Sequence, residues 1–334
     1  MPVWPLLLVA LGQAPVAAPD TLHAVDVYGA RTVAVDALRA AIAVRAGDPV
    51  PASTEAIRSR VAALPGVAEA RVATVCCSET GRPLLYVGIR EVGVPPITFG
   101  AEPTGDARLP AEVVAAGARF EAALVDAVRR GAAEEDGAQG YALARDAALR
   151  SVQEEFLRIA AARADALTRV LRTSADAEHR ALAAQVLAYA ADRHLVAREL
   201  LRAARDPSEA VRNNATRALA VLAAWVGDHP EAGVAIPAEL FVDFVTSVSW
   251  TDRNKGVMVL VPLTASRDTA LLAQLRARAL PSLVEMARWT SAGHALMPYL
   301  LVARIAGVGE AEAFRAWQAG EREVVIERAL AGSP

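Results

Sequence analysis

The chain has 334 residues, 54% hydrophobic and 22% charged, with a formal net charge of −3 and a mean hydropathy of +0.27. That length favours two or three domains with buried cores, and the near-neutral balance argues against a general binder of nucleic acid or anionic membrane. Lys255 is the only lysine, so arginine carries almost all the basic charge, and much of the apolar content is alanine, leucine and valine, which suits close helix packing.

The first residues, MPVWPLLLVALGQAPVAAPD, read as a secretory leader. Residues 3–11 form a short apolar core, and Val16, Ala17 and Ala18 put small side chains where a signal peptidase reads. Cleavage after Ala18 would place a mature protein in the periplasm or outside the cell; without a functional leader it would be cytoplasmic. The core is too short for a stable anchor, and no later run approaches the roughly twenty uncharged residues of a membrane span. A transmembrane segment is therefore not expected in the mature chain.

Residues 23–92 have mixed periodicity. Ala24 to Gly29 reads as a strand closed by a glycine turn. Val35, Leu38 and Ile42 recur at helical spacing, and the Gly47-Asp48-Pro49 stretch then breaks the helix. A second helix carries Ile57, Val61 and Leu64 on one face, and Pro65-Gly66 ends it. Residues 70–76 and 84–92 read as two further strands. On the last, Leu85, Val87 and Ile89 alternate with Tyr86, Gly88 and Arg90, which predicts one face on a core and one facing solvent. The adjacent Cys76 and Cys77 would point to opposite faces of an extended segment and are expected as one buried and one exposed thiol.

The order β-α-α-β-β, with Val25-x-Val27-x-Gly29, Leu38, Gly47-Asp48, Leu64-Pro65-Gly66-Val67, Val72 and the closing strand, resembles a POTRA domain. The resemblance covers about a fifth of the chain. It implies capture of peptide segments at a strand edge, here assigned to residues 84–92.

Residues 93–110 are rich in proline and glycine and read as a linker. Residues 111–131 carry an apolar stripe through Val114, Ala118, Leu124 and Val128. Residues 132–140 read as a loop, and a long helix is predicted over 141–171, its many charges forming a solvated face.

From Ser174 the pattern repeats. In residues 177–190, Arg180, Ala183, Ala184 and Leu187 stand where residues 206–225 have Arg212, Ala215, Thr216 and Leu219, 32 positions later. One such helix cannot bury its apolar face alone and needs a like neighbour stacked against it. Asp176 and Asp206 precede the two helices, where a carboxylate satisfies free N–H groups. The pattern Asp206…Val211-Arg212-x-x-Ala215-x-x-Ala218-Leu219 resembles HEAT repeats, whose Asp and Arg form ladders between successive units. A third unit is expected to start at Trp250, where Arg253 echoes Arg212 after 41 positions. Helical segments at 269–279, 281–290, 294–305, 310–318 and 321–330 complete an array of roughly five units over 111–330. The expected fold is therefore mostly α: a HEAT-like α-solenoid preceded by a small POTRA-like α+β domain.

No metal-spaced pair occurs among His23, His179, His194, His229 and His294, and neither a phosphate loop nor a nucleophile elbow is present. No catalytic residue, metal or cofactor is assigned. Thr251 to Lys255 packs both charge signs beside Trp250 at a helix start, and Asn213 and Asn214 are weak choices within a helix. Candidate partner-binding residues are Arg212, Asn213, Trp250, Asp252, Arg253, Asn254 and Lys255. Trp225, Trp250, Trp289 and Trp317 are expected mainly in packing. The HEAT resemblance implies a non-enzymatic scaffold for other proteins or peptides, with no nucleic acid. Alternatives are a small-molecule binder of the bilin-lyase-like class, which an open apolar pocket lined by Trp250 and Trp289 would favour, and a purely structural envelope protein.

Overall fold

The computed structural model describes residues 21–332; the leader lies outside them. The described chain is mostly α, with fourteen α-helices and a small strand-containing region on its N-terminal side. No described helix is long and apolar enough to cross a membrane.

Strand β1 (Ala24–Tyr28), helices α1 (Val35–Ile42) and α2 (Glu55–Ala62), and strands β2 (Val67–Val75) and β3 (Leu84–Glu91) follow the expected β-α-α-β-β order. The sheet order is β1-β3-β2, with β1 parallel and β2 antiparallel to β3. Leu85, Val87 and Ile89 point to one face and close a core with Leu22, Leu38, Ile42, Ile57 and Val61. The turn after β1 needs Gly29, at φ 86°, because a Cβ there would sit 2.1 Å from the Ile89 carbonyl oxygen. Cys76 and Cys77 are disulfide-bonded to each other, so the expected pair of free thiols is not found.

Two expectations for β3 fail. It is the central strand, so both its edges are already paired and the edge assigned to residues 84–92 is not open. Nor does most of its second face meet water: Leu84 and Tyr86 are fully buried, and only Arg90 at its end is partly exposed. Alternation in the sequence marks the two faces of a strand but not what covers the second. Tyr86 alternates like a polar-face residue, yet its ring lies in the interior.

Helices α3 (Ala111–Arg129) and α4 (Ala147–Thr173) follow, joined by a hairpin of β4 (Glu135–Asp136), within the predicted loop, and β5 (Leu143–Ala144), within the first turn of the helix predicted from 141. Asp146 caps α4 by accepting from the Ala148 and Leu149 N–H groups, and α4 kinks at Arg163. Then come the repeat helices α5 (Ala177–Leu187), α6 (Arg193–Ala203) and α7 (Glu209–Asp228). Helices α4, α5 and α7 pack in succession, with α6 against α7. As expected, Asp176 caps α5, accepting from the Glu178 and His179 N–H groups.

The last seven helices are α8 (Glu239–Phe244), α9 (Trp250–Leu263), α10 (Thr269–Arg278), α11 (Leu280–Ala287), α12 (Ala292–Ile305), α13 (Glu310–Gln318) and α14 (Arg322–Leu330). All but α8 match a helix read from the sequence. At six residues, with Leu240, Phe241, Val242 and Phe244 buried and only Glu239 and Asp243 reaching solvent, α8 is too short and too apolar to show a helical period.

The packing divides the chain differently from a linear succession of domain, linker and array. Residues 98–237 form one compact unit. Residues 21–97 and 238–332 form the other, in which helices α8 to α14 share a body with the sheet. In that second unit the Tyr28 hydroxyl donates to the Val248 carbonyl oxygen at 2.9 Å, and Gly88 leaves the hole that the Tyr28 ring fills: a Cβ at Gly88 would lie 2.4 Å from it.

Candidate interaction surface

The repeat arginines share one local geometry. The Arg180 guanidinium donates to the Ser174 carbonyl oxygen at 2.8 Å, Arg212 to that of Asp206 at 3.0 Å, and Arg253 to that of Ser247 at 2.5 Å. Each acceptor lies six residues earlier, in the turn that precedes the helix. The three turns are thus one motif used three times, across both units. All three guanidinium groups are buried. A buried charge needs partners for its remaining donors, and those partners differ from site to site.

In the unit of residues 98–237, Arg180 forms a paired contact with Asp206, Nε to Oδ2 at 2.9 Å and Nη2 to Oδ1 at 3.0 Å. This is the Asp–Arg link between successive repeats that the HEAT resemblance implies. The same Arg180 Nη2 also reaches Glu102 at 2.7 Å. Glu102 belongs to the stretch read as a linker. Residues 98–110 of that stretch form an extended strap lying along the repeat turns. The Phe99 ring stacks under the Arg212 guanidinium, 3.8 Å from the ring centroid. Gly100 N–H donates to the Arg205 carbonyl oxygen at 2.7 Å. Gly105 N–H donates to the Thr173 carbonyl oxygen at 2.8 Å, and Ala175 N–H returns a bond to Gly105 at 2.7 Å. Leu109 N–H donates to His179 Nδ1 at 2.8 Å.

A second segment covers α7 from another side. In the β4–β5 hairpin, Glu135 pairs with Arg217 and accepts from Gln153 at 3.0 Å. Gly137 and Gly140 bring its backbone against Val221 and Trp225. Asn214 donates to the Ala181 carbonyl oxygen of α5 at 3.0 Å, so the polar pair within α7 ties one repeat to the next. Asn213 donates to Asn214 at 3.1 Å and is half-buried.

In the other unit the equivalent arginine has a different setting. Arg253 lies over the Tyr28 ring, 4.4 Å from its centroid, and donates to Glu285 at 3.2 Å. Glu285 also pairs with Arg31 and accepts from Gly29 N–H at 3.2 Å. Asp252 accepts from Ser247 at 3.0 Å, and Ser249 caps α9. Trp250 and Trp289 are buried, and the Tyr86 ring fills the space between them, with centroids at 5.3 and 4.8 Å. The open apolar pocket that would favour a small-molecule binder is thus packed shut at these two residues. Tyr86 hydrogen-bonds to His294 Nδ1 at 2.7 Å. Burial pushes the His294 imidazole down to about 4, with Lys255 adding to the shift and Glu79 opposing it. Burial raises the Asp26 carboxyl despite its two bonds from Thr290.

Of the seven candidate residues, Arg212, Trp250, Asp252 and Arg253 are therefore interior, engaged by the fold itself. Asn213, Asn254 and Lys255 keep part of their surface. The sequence reading missed Phe99, Glu102, Gly105 and His179. The available signal is a lone aromatic followed three residues later by a carboxylate, inside a stretch rich in proline and glycine.

No family model matches the chain, and no curated protein matches it. Among solved structures it is similar to designed armadillo repeat proteins. One, computationally designed for modular peptide recognition, is 18% identical over 56% of this chain and 94% of its own, with a TM-score of 0.36. A second is 19% identical over 59% and 97%, also at 0.36. A third, in complex with the peptide (KR)4, is 17% identical over 55% and 92%, at 0.35. Likeness this slight carries no argument about this chain, whose repeat architecture rests on its own arginine turns and helix packing.

Proposed function

We propose that the protein is a non-enzymatic scaffold that binds segments of other proteins across the turn face of its HEAT-like repeats. The observation that carries the reading is the strap. An extended stretch of chain lies across successive repeat turns, held by backbone hydrogen bonds and by one arginine from each repeat. Extended peptides are recognised in this way in general: main-chain bonds give affinity and side-chain contacts give selectivity.

The β-α-α-β-β module is read as POTRA-like on its element order and its Pro65-Gly66 turn. Within it the peptide-capturing edge is assigned to β2, an edge strand of the sheet, rather than to β3. Export to the periplasm is proposed on the apolar leader sequence, and N-terminal sequencing of the protein isolated from cells tests it.

Affinity capture followed by mass spectrometry tests the scaffold reading, with three full-length baits. One is native. One carries Ala175→Arg and Arg205→Glu, both exposed on the repeat turns; the third carries Arg39→Glu and Arg45→Glu, both exposed in the α+β module. The expected result is a protein enriched by the native bait, lost with the turn-face variant and kept with the control. Equal recovery by all three baits, or no enrichment at all, would sink the reading.

A further inference from the structure

The strap makes contacts that amount to a recognition pattern. Its Phe99 ring is read by Arg212 and its Glu102 carboxylate by Arg180. Gly105 is read by shape: it exchanges two backbone bonds with the turn after α4, and a Cβ there would come within 2.5 Å of the Thr173 carbonyl oxygen. Gly100 is similarly close to Arg205, with a Cβ 3.3 Å from its carbonyl oxygen. The readers come from successive repeats, so the pattern follows the spacing of the array.

The attachment is shallow on the strap side and deep on the array side. Between residues 99 and 108 no strap residue is buried; Leu109 is the first. Glu102 is 57% exposed, whereas Arg180, which grips it, is 0% exposed with the strap in place. A segment that buries so little apolar surface can leave without opening a core. Its departure would uncover two arginines already oriented by their turn carbonyls.

We propose that this turn face is a binding site for an extended segment of a partner protein. That segment carries phenylalanine, then glycine, a carboxylate three residues after the ring, and a second glycine three residues after the carboxylate. The chain's own residues 99–105 are the resident occupant, and a partner segment of the same pattern takes their place. The proposal rests on the scaffold reading but is tested apart from it. Failed capture counts against the scaffold reading while a synthetic peptide can still bind the turn face, and a peptide that does not bind leaves the capture result as it stands.

The test uses the full chain and a fluorescein-labelled peptide of residues 97–110, ITFGAEPTGDARLP. Titration by fluorescence anisotropy compares the native protein with the variant Phe99→Ala/Glu102→Ala, whose strap has lost two of its side-chain anchors. The variant is expected to bind the peptide at least about tenfold more tightly than the native protein, because the resident competitor is weakened. Peptides carrying Phe99→Ala or Gly105→Val should each lose about tenfold or more. Hydrogen exchange at the Gly100 and Gly105 amides should rise in the variant and fall again with peptide, while Leu85 and Val87 stay protected. If the double variant does not fold, Glu102→Gln alone gives the same comparison with a smaller shift. Three results overturn the proposal: equal affinity for native protein and variant, a Gly105→Val peptide that binds as well as the native sequence, or a variant whose Gly100 and Gly105 amides stay as protected as in the native chain.

Discussion

Arg212 and Arg253 occupy the same place in the same repeat motif, yet they do opposite work. Each is held by a turn carbonyl and each lies over an aromatic ring. The ring over Arg212 is Phe99, half-buried on an extended strap; the ring over Arg253 is Tyr28, 1% exposed on a sheet strand. One arginine therefore reads a segment lying at the surface, while the other is a pillar of a core. A repeat motif fixes where a guanidinium points. Whether it becomes a binding element depends on how much apolar surface its neighbour buries.

The sharpest way to break this comparison is to truncate both rings. Tyr28→Ala removes a buried ring, its bond to Val248 and the floor beneath Arg253, and should cost about 4 kcal/mol. Phe99→Ala removes a half-buried ring and one cation–π contact and should cost about 1 kcal/mol. Urea unfolding followed by fluorescence, with Trp250 and Trp289 reporting on Tyr28→Ala and Trp225 on Phe99→Ala, checks both. Equal costs would mean that the strap is as integral as the sheet.

Two glycines test the same contrast through steric conflict. A methyl group at Gly88 would collide with the Tyr28 ring, and one at Gly105 with the Thr173 carbonyl. The central strand cannot leave its sheet, so Gly88→Ala should cost about 3 kcal/mol. The strap can peel away, which caps the loss for Gly105→Ala at about 1 kcal/mol, the value of what it lets go. Rapid exchange confined to the strap amides in Gly105→Ala, with the rest of the unit unchanged, is the expected signature.

Titration separates the two units again. In the sheet-containing unit, His294 is half-buried beside Tyr86 and faces Glu79 and Lys255, and its folded value is pushed down to about 4. An unfolded imidazole titrates near about 6.5. Between these values the unfolded chain binds the extra proton, so the stability contribution is complete above about pH 6.5 and is lost as the pH falls toward 4. The loss should reach about 2 kcal/mol, discounted for the partial exposure of the ring. His294→Gln should remove this slope. An unchanged slope between pH 6.5 and 4 would move its origin to another group.

Much of this was legible in the chain. Periodicity located nearly every helix, because most carry one apolar face and end at a cap or glycine. The Arg180, Arg212 and Arg253 correspondence marks three equivalent repeat positions, and their bonds to turn carbonyls share one geometry. What could not be read was the choice of neighbour. Tyr86 alternates like a solvent-facing residue, and nothing local says that helices some 160 or more positions later cover it. Residues 98–110 have the composition of a linker, and their attachment is made mainly by backbone groups, which composition does not encode. Asp252 and Arg253 stand out for polarity at a helix start. They are polar because a buried guanidinium and a capped turn need partners, a demand that sequence alone does not distinguish from a binding surface.

The smallest expected effect is the most informative about the strap. Glu102→Gln leaves Arg180 its two bonds to Asp206 and its bond to Ser174, and removes only the charge on a half-exposed partner. An ion pair with one member in solvent is worth little to stability, so global unfolding should shift by no more than about 0.5 kcal/mol. The local effect should still be measurable, because the strap buries little apolar surface: exchange at the Gly100 and Gly105 amides should quicken by about twofold. A large global loss would show that Arg180 depends on Glu102 for charge balance, and the strap would then belong to the core in the same sense as β1. A local change without a global one would mark a surface that holds its own chain loosely, which a site for exchanging segments requires.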